Sequence, residues 1–314
     1  MRALVIVNPH AHSGYAQHHD PATRDRITAQ LKTLPMVDTI DWIDTRHPSH
    51  GVELARQASE DGCAYIVAVG GDGTINEVLN GIMTAKAAQR PVLGVLPWGT
   101  LNDFYDGVRA AEAHLSAAAN GLPVQPLDVG HVLFDELERY CCLSISVGLS
   151  SWANMKYQQM SQLLGRRFAH LPSAVDTLLT YRFNFKAQIT LDDQPAYTTR
   201  ALALAISNCP GVGGGVRLTP NARIDDGYFD LATIAPVPLW RLAIVLLQAR
   251  LGHPDRKVLQ QARFRTILIS SNEPFSVHLD GELIPKVLSE TRTIRLNVLP
   301  AALQILRPSF LADR

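Results

Sequence analysis

Short apolar runs at Leu4–Val7, Val37–Ile43, Ala64–Val69 and Val92–Leu96, the second broken by acids, alternate with helix-like stretches over 20–34, 49–61, 74–88 and 100–119. Strand followed by helix, repeated, with strands apolar on both faces, is the pattern of a parallel sheet covered on each side by helices. Asn120-Gly121-Leu122-Pro123 breaks the rhythm. Beyond it strand-like runs dominate, at 127–133, 140–147, 185–191, 199–207, 229–234, 264–270, 275–279 and 292–298. This predicts an α/β domain over residues 1–125 and a β-rich domain over 126–314, with the segment after Arg292 free to run back to the first. Helical exceptions fall at 151–164, 172–181 and 238–250. The last is apolar almost all round, which predicts burial rather than an interfacial stripe.

With 314 residues, 46% hydrophobic and 18% charged, the chain can bury a sizeable core. Lys plus Arg balances Asp plus Glu at 29 each, so no net basic field draws it to nucleic acid. The longest apolar runs, Ala201–Ile206 and Leu242–Leu247, fall far short of the ~20 residues that span a bilayer, so no transmembrane segment is expected. Met1-Arg2 leads straight into a strand-like run without a leader pattern, which sets the expectation of a cytoplasmic protein that meets a membrane transiently, at its surface. Cys63, Cys141, Cys142 and Cys209 lack C-x-x-C spacing and read as reduced, buried thiols.

The segment richest in chemistry is the turn Gly70-Gly71-Asp72-Gly73-Thr74, which follows the apolar run ending at Val69. Thr74 and Glu77 have the spacing of a capping box opening the next helix. Glycines let another group approach the backbone closely, and a helix start offers N–H donors to an anion, so the turn reads as a phosphate site. No Gly-Lys-Ser/Thr follows, and Asn76 stands where a dinucleotide fingerprint needs glycine. Asp72 in place of a lysine makes sense beside phosphates chiefly when Mg²⁺ bridges the two. The plain alternative is a tight turn carrying a surface acid of little packing consequence.

The next connection, Pro97-Trp98-Gly99-Thr100-Leu101-Asn102-Asp103-Phe104, repeats this geometry. The first strand ends in Asn8-Pro9 with Ser13-Gly14 beyond, and the second ends at Asp44-Thr45. Four carboxyl ends then converge on one crevice, where open α/β sheets bind ligands. In the second half, Gly211-Val212-Gly213-Gly214-Gly215 is a glycine-rich loop whose functional alternative is shaping an acceptor cleft.

Together with Leu127-Asp128-Val129-Gly130, Pro220-Asn221-Ala222, Asp226-Gly227 and Asp280-Gly281-Glu282, these motifs resemble in order and spacing the diacylglycerol kinase catalytic domain superfamily. The resemblance spans nearly the whole chain. It implies an α/β N-terminal nucleotide-binding domain of the phosphofructokinase and NAD-kinase kind, followed by a β-sandwich-type C-terminal domain. It implies transfer of the ATP γ-phosphoryl group to a lipid hydroxyl at a membrane surface. Carried over by position, nucleotide contacts fall on Asn8, Pro9, Ser13, Gly14, Thr45, Gly70, Gly71, Asp72, Gly73, Thr74, Asn76, Thr100 and Asn102. Glu282 is implied as general base, although by itself it reads first as an exposed hairpin-turn acid. Asp72 and Asp280 complete the catalytic set, with Asp72 steering the catalytic Mg²⁺ and Asp103, Asp128 and Asp280 forming a supporting acid network. A structural Mg²⁺, held in relatives by a carboxylate and backbone carbonyls, maps to Asp226 with Arg223 and Tyr228. The chain departs from the family after Phe104, where Tyr105-Asp106-Gly107 stands in place of a frequent Arg.

Two other readings stay open: a kinase for a soluble acceptor such as NAD or a sugar phosphate, and a nucleotide-binding regulator without turnover. The sequence leaves the acceptor unnamed and is compatible with a homodimer.

Overall fold

The computed structural model describes residues 2–11, 20–35, 37–99, 102–113, 123–135, 137–164, 168–180, 185–211, 216–253, 255–280, 282–283 and 291–311. The first half is built from β1 (Arg2–Val7), α1 (Pro21–Leu31), β2 (Thr39–Asp44), α2 (His50–Glu60), β3 (Tyr65–Gly70), α3 (Asp72–Thr84), β4 (Val92–Pro97) and α4 (Asp103–Glu112). The four strands run parallel in the order β2-β1-β3-β4, so all their carboxyl ends share one edge. β1 and β3 are buried along almost their whole length, because helices cover both faces. Ile75, Val78, Leu79 and Ile82 of α3 pack on one face, and Ile27 and Leu31 of α1 on the other.

The second half begins with β5 (Val124–Phe134), β6 (Leu137–Cys141) and β7 (Ser144–Gly148), then the helical pair α5 (Leu149–Leu164) and α6 (His170–Thr180). It continues through β8 (Phe185–Leu191), β9 (Tyr197–Ala201), β10 (Ala203–Ser207), β11 (Phe229–Ile234), α7 (Leu239–Arg250), β12 (Leu259–Phe264) and β13 (Thr266–Ser270). It closes with β14 (Val277–Leu279), β15 (Glu282–Leu283), β16 (Thr293–Leu306) and α8 (Pro308–Leu311). A six-stranded sheet, β12-β11-β10-β7-β14-β15, faces the β13-β8 end of the larger sheet. Ile189, Ile267 and Ile294 from one side meet Val147, Ile206 and Phe229 from the other, which makes the second domain a sandwich.

One sheet runs through both halves. β16 pairs antiparallel with β5 and β13 along its length, and near its end runs parallel to β4 at Ile305 opposite Leu93. The β5–β16 register shifts between Leu299 and Leu303, where Ala301 takes φ 48°. Asp128 pins this irregularity: its carboxylate accepts the N–H of Ala301 at 2.7 Å and of Gly227 at 2.6 Å.

The helix over 239–250 is not buried all round as its composition suggests. Leu242, Val245 and Ala249 are buried against the outer face of the six-stranded sheet, whereas Trp240, Ile244 and Leu247 face solvent. All four cysteines are free and buried, and burial pushes the thiols of Cys141, Cys142 and Cys209 well up.

Candidate active site

Adjacent parallel strands β3 and β4 end in loops that touch backbone to backbone. A Cβ on Gly99 would lie 2.2 Å from the Gly71 Cα, and one on Gly70 would meet the Thr74 hydroxyl at 2.4 Å. Glycine is needed here because no side chain fits between the loops. The first turn of α3, with Gly71 as its N-cap and no side-chain cap, begins at this strand edge with N–H groups that lack intrahelical acceptors. The β1 loop is tied to the same turn, with the Asn8 amide donating to the Thr74 hydroxyl at 3.0 Å. Thr45 follows β2, its N–H donating to Val7 O at 2.8 Å, so Pro9, Thr45 and Gly73 also sit at this edge. Asn102, in the left-handed region at φ 55°, closes the β4 loop by accepting from Gly99 N–H and donating to Gly99 O. Ser13, Gly14 and Thr100 lie outside the described residues.

The Thr74–Glu77 capping box does not form. Glu77 instead reaches across to α2, accepting the N–H groups of Ser49 and Gly51 at 2.7 and 2.9 Å, while Thr74 accepts from Asn8. A local spacing rule cannot see that α2 starts beside α3. The two helices come close because Gly81 has no Cβ; one there would lie 2.5 Å from Val52 O.

Asp72 is also more than a surface acid. Its carboxylate accepts the N–H groups of Asp103 and Phe104 at 3.2 and 3.1 Å, capping α4. Burial pushes its carboxyl up to about 6 against the pull of those donors, and the charges of Asp103 and Asp280 add to the rise.

Asp280 is buried at φ 44°, its carboxylate held by the N–H groups of Cys142, Leu143 and Ser144 at 2.8, 3.0 and 2.7 Å and by the Asn76 amide at 2.9 Å. Burial raises its carboxyl against these four donors. Asn76 also donates to Tyr140 O, and Asn80 exchanges hydrogen bonds with the Tyr140 backbone. Asn76 thus joins α3 to the second domain. Sequence reasoning missed the partners Tyr140 and Cys142–Ser144; Asn76 and Asn80, one turn apart on α3, were the available signal. Glu282 begins β15 opposite Leu279, two residues beyond Asp280, and its side chain lies outside the described residues.

The two expected cation positions differ in fit. Around Asp72, a half-buried carboxylate feels the charges of Asp103 and Asp280, oxygen donors of the kind Mg²⁺ takes, although the three carboxylates do not gather within ligand distance of one another. Around Asp226, one carboxylate oxygen accepts Tyr228 N–H at 3.1 Å and the other meets Arg263 at 2.5 Å, while Arg223 pairs with Asp225 at 3.1 Å. The guanidinium of Arg263, lying 4.5 Å over the Tyr228 ring, already supplies the positive charge there. The Asp226 side chain is thus already engaged by Tyr228 N–H and Arg263. Asp128 is likewise satisfied by two N–H donors.

A cleft of about 580 Å³ opens beside this machinery, lined among others by Asp103, Gly211, Arg217 and Arg250. Residues 212–215 of the glycine-rich loop lie outside the described residues.

Residues 2–132 match the diacylglycerol kinase catalytic domain, and residues 143–307 match the YegS C-terminal NAD kinase beta sandwich-like domain. The chain is 35% identical over 237 residues to a Chromohalobacter salexigens protein named "Probable lipid kinase YegS-like", covering 74% of each. It is 30% identical over 243 residues to a Staphylococcus epidermidis diacylglycerol kinase, covering 73% of this chain and 71% of that one. A crystal structure of a diacylglycerol kinase from Bacillus anthracis superposes over 98% of each chain with a TM-score of 0.66 at 18% identity, and another from that organism reaches 0.72 at 21%. At those identities the structures speak for the fold, and they agree with the layout above. With both domains matched and a relative above 30% identity along most of its length, this protein belongs to the diacylglycerol kinase catalytic-domain family of lipid kinases, carrying a YegS-type C-terminal sandwich.

Proposed function

We propose that the chain transfers the γ-phosphoryl group of ATP, with Mg²⁺, to a hydroxyl of diacylglycerol or a similar amphiphile at a membrane surface. The supporting observation is the hydrogen bond that joins the halves: Asn76, about one helical turn after Asp72, donates to Asp280, two residues before Glu282. That bond ties the helix opening at the glycine turn to the residue two positions before the candidate base.

Phosphoryl transfer asks mainly for positioning and charge stabilisation. The glycine loops at 70–73 and 99 bring first-turn N–H groups of α3 against the triphosphate, with Asn8, Pro9, Ser13, Gly14, Thr45, Thr74, Thr100 and Asn102 around the nucleotide. Asp72 and Asp103 would hold Mg²⁺, which would supply neutralisation of the phosphate oxygens. The acceptor hydroxyl oxygen bonds to the γ-phosphorus, the bond from that phosphorus to the β,γ-bridging oxygen breaks, and the hydroxyl proton passes to the Glu282 carboxylate. Asp280 keeps the turn before Glu282 in place.

The test is a panel of diacylglycerol, a sphingoid base and phosphatidylglycerol in mixed micelles with labelled ATP and Mg²⁺. Labelled lipid is expected, falling by ~10²–10⁴ in kcat for Glu282→Gln with ATP affinity retained. Label appearing only in a polar acceptor without micelles, or in none beside an active control, overturns the reading.

A further inference from the structure

α7 has two apolar faces where a helix on a protein surface needs one. Its inner face, Leu242, Val245 and Ala249, is buried on the sandwich with Ala203, Ala232 and Ile234. On the opposite side Trp240, Ile244, Leu247 and Leu251 are exposed by 66%, 47%, 59% and 68%. At about 100° per residue these four fall within an arc of about 60°, a single stripe along the helix. Arg241 and Arg250 lie about a quarter turn to either side. No Asp or Glu occurs between Leu239 and Arg250, and exposed Arg256 and Lys257 follow. One acid, Asp255, sits among these four cations, pairing with Arg241 at 3.7 Å. In a chain of zero formal net charge, this is a local excess of positive charge around an apolar ridge.

We infer that α7 is a docking helix for an anionic lipid bilayer. The stripe enters the boundary between headgroups and acyl chains, with Trp240 as the interfacial ring and Arg241, Arg250, Arg256 and Lys257 meeting lipid phosphates. A second copy of the chain is the poorer occupant, because two-fold pairing of this face would bring its arginines against their own kind. Position supports the lipid: Arg250, at the helix end, lines the same cleft as Asp103, whose N–H is bound to Asp72. A bilayer under α7 lies beside the cleft mouth, where an extracted lipid headgroup has a short path to the phosphoryl donor. The inference deepens the lipid-kinase reading and takes from it the role of that path.

The experiment is sedimentation of the full chain, free of nucleotide, with vesicles of phosphatidylglycerol and phosphatidylcholine or of phosphatidylcholine alone. Partition is expected on the anionic vesicles, weakened in about 0.5 M NaCl by screening, and reduced tenfold or more by Ile244→Glu with Leu247→Glu. These positions are solvent-facing, so Tm and ATP affinity stay at parent values. The KM for a vesicle-embedded acceptor rises, while turnover of a short-chain water-soluble acceptor is unchanged. Equal partition of parent and variant, no preference for anionic vesicles, or a variant that merely converts a dimer into monomers overturns the docking helix. Stripe-dependent partition with no phosphoryl transfer to any lipid leaves docking standing and removes the kinase reading instead.

Discussion

Asp72 is a half-buried carboxylate that caps one helix, begins another and feels the charges of two further acids. Its carboxyl, at about 6, lies above the ordinary 3.8, so its contribution to stability is fully present below 3.8 and is lost as pH rises to about 6. Asp230, raised to about 6 by burial, acts in the same direction. Thermal melts without metal should therefore show Tm falling across pH 4 to 6, and Asp72→Asn should flatten that slope by removing one of the raised carboxyls. Saturating Mg²⁺ should restore stability to the parent above pH 6 and much less to Asp72→Asn, since binding to the native state stabilises it. If Asp72 serves as proposed, turnover of the parent should decline as pH drops through about 6 and its carboxylate takes up a proton. At this scale the sequence was readable where the signal is local: glycines around an acid mark the turn by themselves. The surroundings of Asp280 were not, because its partner Asn76 lies 204 positions away and the Cys142 N–H 138 away.

α3 ties its neighbours together more than it serves itself. Thr74 receives the β1 loop, Glu77 caps α2, Asn76 and Asn80 hold β6, and Gly81 lets α2 approach. Glu77→Ala should cost about 1 kcal/mol through the loss of α2's cap, with direct effects confined to that helix start. Chemical denaturation would measure the loss, and hydrogen exchange should show faster exchange at Ser49 and Gly51. A capping box within α3 would instead leave α2 unchanged. Helices and strands were legible because periodicity reports what each element buries. α7 exposes the limit of that signal: an apolar circumference says nothing of which side another element covers, and only packing on the sandwich distinguishes Val245 from Leu247.

The two domains are written in sequence as separate rhythms, yet the molecule joins them by a continuous sheet through β4, β16 and β5 and by the Asn76–Asp280 bond. Calorimetry should accordingly show one cooperative unfolding transition, with calorimetric and van't Hoff enthalpies equal. Two resolved transitions in the parent would mean that these links carry little energy. The change from strand–helix alternation to consecutive strands marked the change of architecture, and a return of the segment after Arg292 to the first half was open to the sequence; its pairing of Ile305 with Leu93 was not, because no local pattern fixes a register across that separation.

That last strand also sets an order of events during synthesis. When the ribosome has delivered the first 125 residues, β4 has β3 on one side and nothing yet on the other, since Ile305, which pairs with Leu93, is about 180 positions from emerging. An open apolar strand edge is a template for wrong pairing until it is covered. The nascent chain must therefore keep its first half incomplete through most of the synthesis of the second, and the β4 edge becomes fully braced only when β16 arrives.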